Sequence, residues 1–108
     1  MVDPKKYAYR VVWSQEDGEF VGLCAEFPSL SWLAATQAEA LEGVVHLVSE
    51  IVAEMAASAE PLPEPLSVKS FSGKFQVRLP PEQHRRLAIR AAEDGVSLNR
   101  LVSSMLSA

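Results

Sequence analysis

Lys74, Gln76 and Arg78 stand at alternate positions, and their side chains have the chemistry of groove readout. Lysine and arginine donate to guanine O6 and N7, and glutamine pairs with adenine N6 and N7 through two hydrogen bonds. A spacing of two puts all three on one face of an extended strand and leaves Phe75, Val77 and Leu79 on the other. Further along, Ser97, Leu98, Asn99 and Arg100 begin a predicted helix, whose free backbone N–H groups and adjacent guanidinium suit a phosphate. These are the candidate base-reading and phosphate-binding residues.

The rest of the chain offers little catalytic chemistry. His46 and His84 fall on separate predicted helices, and His46 reads as a helix-face residue rather than a ligand. Cys24 is the single cysteine, which excludes an intrachain disulfide or a cysteine-based zinc site and reads as a small buried apolar residue. Neither a Ser-His-Asp arrangement nor a glycine-rich phosphate loop is present. A metal-dependent nuclease needs several carboxylates that converge on two ions. Glu16, Asp17 and Glu19 instead cluster in a predicted hairpin turn, Glu26 stands apart, and no acid lies within the strand Tyr7–Trp13. The expectation is therefore no enzyme, no catalytic residue, no metal, no cofactor and no small-molecule substrate.

The elements that must position the readout residues follow from periodicity. Phe75–Leu79 alternates as a strand, Pro80-Pro81 stops it, and Pro81 suits the first turn of a helix running to about Asp94. Leu87, Ala88 and Ala91 form its inner stripe, and Gly95 is its natural stop. Ser97 caps a second helix carrying Leu98, Leu101, Val102, Met105 and Leu106. One strand and two short helices cannot bury their own apolar faces, because the strand lacks a ladder partner and the core is too small. Two copies meet both needs. Their strands pair antiparallel, Phe75, Val77, Leu79 and Leu101 form the dimer core, and Lys74, Gln76 and Arg78 of both copies line the outer face. A two-stranded ribbon of that kind fits the major groove of DNA.

The first half reads differently. Tyr7–Trp13 is rich in aromatic and β-branched residues, Asp17-Gly18 supplies a hairpin turn, and Glu19–Cys24 returns as a second strand. Leu30–Ala34 forms a short third strand, and Trp32 within it is expected in the core rather than on a partner surface. Thr36 with Glu39 makes a capping box, after which Leu41, Val44, Val45, Val48, Ile51, Val52 and Met55 recur at helical spacing to about Ser58. Pro61, Pro63 and Pro65 then impose an extended path that no helix can cross. Leu66–Ser70 either adds a short strand or simply connects.

Charge divides at the same place. Residues 1–66 hold eleven acids and three bases, net −8, whereas residues 67–108 hold seven bases and three acids, net +4, within a chain total of −4. Two modules with different partners are implied, a basic one for phosphates and an acidic one for a basic protein. The apolar fraction of 48% excludes a disordered tail. No apolar run approaches the roughly 20 residues of a membrane span, and the N-terminus lacks a secretory h-region. The expectation is a cytoplasmic protein without a membrane partner.

The run Gly73–Pro80, followed by Leu87, Ala91 and Gly95-Val96-Ser97-Leu98-Asn99, resembles the ribbon-helix-helix repressors, the class of Arc and MetJ. Tyr9–Trp13, Glu16-Asp17-Gly18, Phe20-Val21-Gly22, Phe27–Leu30, Thr36-x-x-Glu39-Ala40-Leu41 and the proline exit resemble the HicB antitoxin domain, a β-β-β-α unit similar to a reduced ribonuclease H fold. Together the two resemblances imply an α+β chain with a partner-binding domain at 1–66 and a DNA-binding, dimerising ribbon-helix-helix at 67–108. They imply an antitoxin that masks a HicA-like messenger-RNA-cleaving toxin and represses its own operon on operator DNA. It would act as a homodimer, with further pairing into a tetramer left open. A stand-alone regulator without a toxin, a protein adaptor whose tail only dimerises, and a ribonuclease H-like nuclease are the alternatives. Where HicB domains often carry a polar turn before the helix, this chain has Ser31-Trp32-Leu33-Ala34-Ala35, so toxin contacts do not carry over residue by residue.

Overall fold

The computed structural model describes residues 2–107. Its elements are strands β1 (Tyr9–Ser14), β2 (Glu19–Cys24) and β3 (Ser31–Ala34) and helices α1 (Gln37–Ala57), α2 (Pro81–Asp94) and α3 (Leu98–Leu106), with a single 3₁₀ turn at Pro4–Lys6. The chain divides into two compact units, Met1–Phe71 and Ser72–Ala108.

In the first unit the three strands form an antiparallel sheet in the order β1-β2-β3. The β1–β2 hairpin closes through Gly18 at φ 64, with its amide bonded to Ser14 O at 2.9 Å, so the Asp-Gly turn forms where the sequence places it. The first strand begins at Tyr9, later than expected, because the Pro4–Lys6 turn swings Tyr7 inward, where it is buried. The second strand keeps the predicted bounds Glu19–Cys24.

Helix α1 lies on one face of this sheet. Thr36 Oγ1 accepts from the Glu39 amide at 3.2 Å and donates to the Glu39 carboxylate at 3.0 Å, so the cap pairs with Glu39 through its hydroxyl rather than through its own amide as in a full capping box. Ala40, Val44, Val48 and Val52, four apart, form the buried line. Leu41 was expected in that stripe, but it sits at one shoulder and is exposed, with Ala40 taking the inward position. The small inward residue lets the helix come close to the sheet. A Cβ added to Gly22 in β2 would stand 2.8 Å from Val44 Cγ1 and closer still to Ala40 O. Tyr7, Cys24, Val44, Val48 and Val52 make the core, with Tyr9, Phe27, Leu30 and Leu62 packed at its edges.

Trp32 corrects a second expectation. It is 41% exposed, because β3 is an edge strand and the indole lies over the backbone of α1 at Gly43, with its outer side left open. The Pro61–Pro65 stretch is docked. Pro65 is buried, and Tyr7 donates from its hydroxyl to Pro63 O at 2.8 Å. Leu66–Ser70 forms no strand and connects.

In the second unit α2 and α3 pack together around Ala91 and Leu101, both buried. Gly95 takes the left-handed conformation (φ 67) that ends α2. Leu87 is half-buried, but Ala88, expected beside it on the inner stripe, is exposed. Residues 74–80 are extended without a ladder, so the predicted strand Phe75–Leu79 is not formed within one chain. A strand requires a hydrogen-bonded neighbour, and this unit contains no other.

Candidate functional site

The second unit carries an open groove of about 920 Å³ between the extended run 73–79 and the facing sides of α2 and α3. Phe75, Val77 and Leu79 line it together with Leu87, Leu98, Val102, Met105 and Leu106. Gln76 and Arg78 do not, as the alternation of an extended chain requires. Phe75 is 77% and Val77 64% exposed, large apolar side chains left open to water. Lys74, expected on the outer face with Gln76 and Arg78, instead lines the groove, and its amide donates to Ser72 Oγ at 3.1 Å. Lys74, Gln76 and Arg78 are all exposed. Leu101 differs from the other three proposed dimer-core residues, because its own unit already buries it.

At the head of α3, Ser97 Oγ accepts from the Arg100 amide at 3.1 Å and Ser97 O from the Leu101 amide at 3.0 Å. The cap therefore occupies two of the helix's leading amides. Those of Leu98 and Asn99 have no capping partner among the described residues. Asn99 also lines the groove, and the Arg100 side chain is exposed with no carboxylate paired to it among the described residues. On α2, Arg85 and Arg90 make only long exposed pairs, to Glu82 at 3.8 Å and Asp94 at 3.9 Å.

In the first unit two carboxylates, Asp17 and Glu26, are tied into the fold. Asp17 accepts from Ser14 Oγ at 2.8 Å inside the hairpin turn. His46, among apolar neighbours in sequence, points outward and pairs with Glu50 at 2.9 Å. Glu26 had no role in the sequence reading, yet it ties three segments together. Its carboxylate accepts from the Ala8 amide at 3.0 and 3.2 Å, from the Leu66 amide at 2.8 Å and from Cys24 Sγ at 3.5 Å. Partial burial alone would raise its pKa, but the Leu66 and Ala8 amides outweigh that and hold it below the usual carboxylate value. Burial likewise raises the Cys24 thiol. Among the described residues no three His, Cys, Asp or Glu side chains are grouped to hold a metal ion. No helix among them is long and apolar enough to cross a membrane.

The HicB family model matches residues 52–106, just over half of the chain. The chain belongs to the HicB family. The matched stretch runs from the last turns of α1 through the proline segment and the whole α2–α3 pair, so the assignment rests on the second half rather than on β1–β3. No curated protein and no solved structure matches this HicB protein. At the family level, membership points to the antitoxin of a toxin–antitoxin pair, with a toxin as the general partner, rather than to an enzyme.

Proposed function

We propose that this HicB protein is an antitoxin that represses its own operon through a ribbon-helix-helix built by two copies of residues 67–108. In this reading residues 74–79 of the two copies pair antiparallel. Phe75, Val77 and Leu79 close over the groove, and Lys74, Gln76 and Arg78 enter the major groove of operator DNA. The α3 head, Ser97 to Arg100, takes a backbone phosphate. Residues 1–66, with their net charge of −8, mask a small basic toxin of the HicA kind.

One observation carries the reading. An extended run has no ladder, holds its apolar side chains over a groove it cannot fill alone, and leaves Gln76 and Arg78 outside. Unpaired strand edges and apolar patches of this kind mark an interface.

The test is binding to the DNA upstream of its own gene across a range of salt concentrations. Expected is sequence-selective, salt-dependent binding that a Q76A/R78A double variant loses while it remains a dimer. Absence of selective binding by the intact chain would sink the repressor role. The antitoxin role is checked separately by co-purification with the product of the adjacent gene.

A further inference from the structure

The first half of the chain is acidic, yet two of its three bases stand together. Lys5 and Lys6 lie in the Pro4–Lys6 turn, and both are exposed. The end of the proline segment brings a third cation to them. Ser67 Oγ donates to Lys6 O at 2.6 Å, a contact between residues 61 apart in sequence. The Val68 and Lys69 amides reach Pro65 O at 3.1 and 3.0 Å, and this turn keeps Lys69 close to Ser67. The bonds from Tyr7 to Pro63 and from Leu66 to Glu26 hold the segment in place. Lys69 is exposed, and its ammonium stands 5.8 Å from the centre of the Phe71 ring, which is itself exposed. The two carboxylates tied into this region are taken up by backbone amides, Asp3 by that of Lys5 and Glu26 by those of Ala8 and Leu66. None of the three lysines has an ion-pair partner among the described residues. Three unpaired cations thus gather where an otherwise acidic unit, Met1–Phe71, releases the chain.

We propose that Lys5, Lys6 and Lys69 form a second phosphate-binding surface, which grips the backbone of the same DNA whose bases residues 74–78 read. This rests on the repressor reading above and extends it to the acidic half. Chain connectivity selects the occupant. From Lys69 to Lys74 the chain spans at most about 18 Å, even when fully extended. A duplex carries about ten phosphates along that length, at roughly one per 1.7 Å of axis. With Lys74 at a base edge, Lys69 is within reach of phosphates in the same half-site or its flank. Charge gives the surface its purpose. Residues 1–66, with a net charge of −8, repel DNA and so weaken the binding of any reader tethered to them. Cations grouped at the point from which the chain runs on to the reader offset that repulsion where it would be strongest. Lysine suits the task, because its flexible point charge meets phosphate without reading sequence.

Anisotropy titrations of the full chain on operator and scrambled duplexes, at several salt concentrations, test this. A lysine that meets one phosphate in each of two copies contributes about 1.8 to the salt slope. The triple variant K5Q/K6Q/K69Q should therefore flatten the slope by about 5. At about 0.1 M salt it should bind both duplexes more weakly by a factor of about ten or more, with the ratio between them kept. K5R/K6R/K69R should bind as the unaltered chain does, and Lys6→Gln alone should flatten the slope by about 2. All three side chains are exposed, and circular dichroism checks that each variant folds. A glutamine triple that keeps the unaltered slope overturns the inference and leaves the repressor reading standing. The same triple failing to co-purify with the product of the adjacent gene, its slope unchanged, assigns the lysines to that protein instead. If the unaltered chain shows no salt-dependent binding to either duplex, both readings fall.

Discussion

Glu26 shows how one side chain decides whether the proline segment is a tether or a docked part of the first unit. Its carboxylate accepts amides from Ala8 and Leu66, which stand 18 and 40 residues away in sequence. Glu26→Gln keeps the shape but turns an NH₂ group toward one of those donors and removes the charge. A hydrogen bond to a charged acceptor contributes about 1.5–3 kcal/mol, so at neutral pH the variant should be less stable by about 1–2 kcal/mol, since one amide keeps an acceptor. The sign with pH follows from the lowered folded pKa. The stabilisation is complete above the ordinary value of 4.5 and is lost as pH falls through the folded value. Urea unfolding of both proteins at pH 7 and pH 3 should show a gap that narrows on acidification; a constant gap would mean that the charge is not what holds the amides. The chain's two tyrosines give a second residue-scale test. Burial, then the nearby Cys24 and Glu26, push Tyr9 up to about 12, and its hydroxyl donates to Pro4 O at 2.7 Å. Tyr7 is raised as well, again chiefly by burial. Alkaline titration followed by phenolate absorbance should therefore show the Tyr9 step displaced toward about 12 in the folded protein, and both phenols titrating together near 10.0 in urea. The contribution of the neutral phenols is present below the ordinary value and lost as pH climbs through the folded one.

At the scale of the elements, two helices end in the same motif with different residues. In α2 the Val96 amide reaches Ala91 O at 3.0 Å and Gly95 turns left-handed; in α1 the Glu60 amide reaches Met55 O at 2.9 Å and Ala59 must do so, at φ 56. A left-handed conformation costs a residue with a Cβ roughly 1–2 kcal/mol and costs glycine almost nothing. Ala59→Gly should therefore stabilise the fold by about 1 kcal/mol once the greater freedom of the unfolded glycine is subtracted, and so raise the melting temperature. Gly22→Ala should do the opposite. Its methyl would collide with Ala40 O, a backbone atom that cannot step aside, so α1 must lift off the sheet at a cost of about 1–3 kcal/mol. Thermal melts of both variants check the two signs. These elements also mark what the sequence makes legible. Thr36-x-x-Glu39, Asp17-Gly18, Gly95 and Ser97 are local signals whose partners lie within five residues, and each does what its type implies. Trp32, Leu41 and the docked proline segment depend on where α1 crosses the sheet and on contacts such as Tyr7 to Pro63, 56 residues apart. No periodicity encodes these. The run 74–79 is a third case: its alternation is plain in the sequence, but it forms no ladder among the described residues, and the proposed reading assigns that ladder to a second chain.

For the whole molecule, the charge division permits a test that separates the residues proposed to read bases from those proposed to grip the backbone. Every phosphate neutralised by a cation releases counterions, and the logarithm of the binding constant falls with the logarithm of salt by about 0.9 per phosphate. Arg100 is exposed, lacks an ion-pair partner among the described residues and sits beside the Leu98 and Asn99 amides. If it meets a phosphate in each of two copies, Arg100→Ala should flatten the salt slope by about 2 and weaken binding to all sequences alike. Gln76 carries no charge, so Gln76→Ala should leave the slope unchanged and lose discrimination at one base pair per half-site, about 1–3 kcal/mol each. The net charge of −8 on residues 1–66 makes the contrast sharper, because that half as a whole repels DNA. Fluorescence anisotropy titrations on operator and scrambled duplexes at several salt concentrations distinguish the two effects. An R100A protein that loses selectivity while keeping its slope would reverse the assignment and place the α3 head, rather than the 74–78 strip, against the base edges.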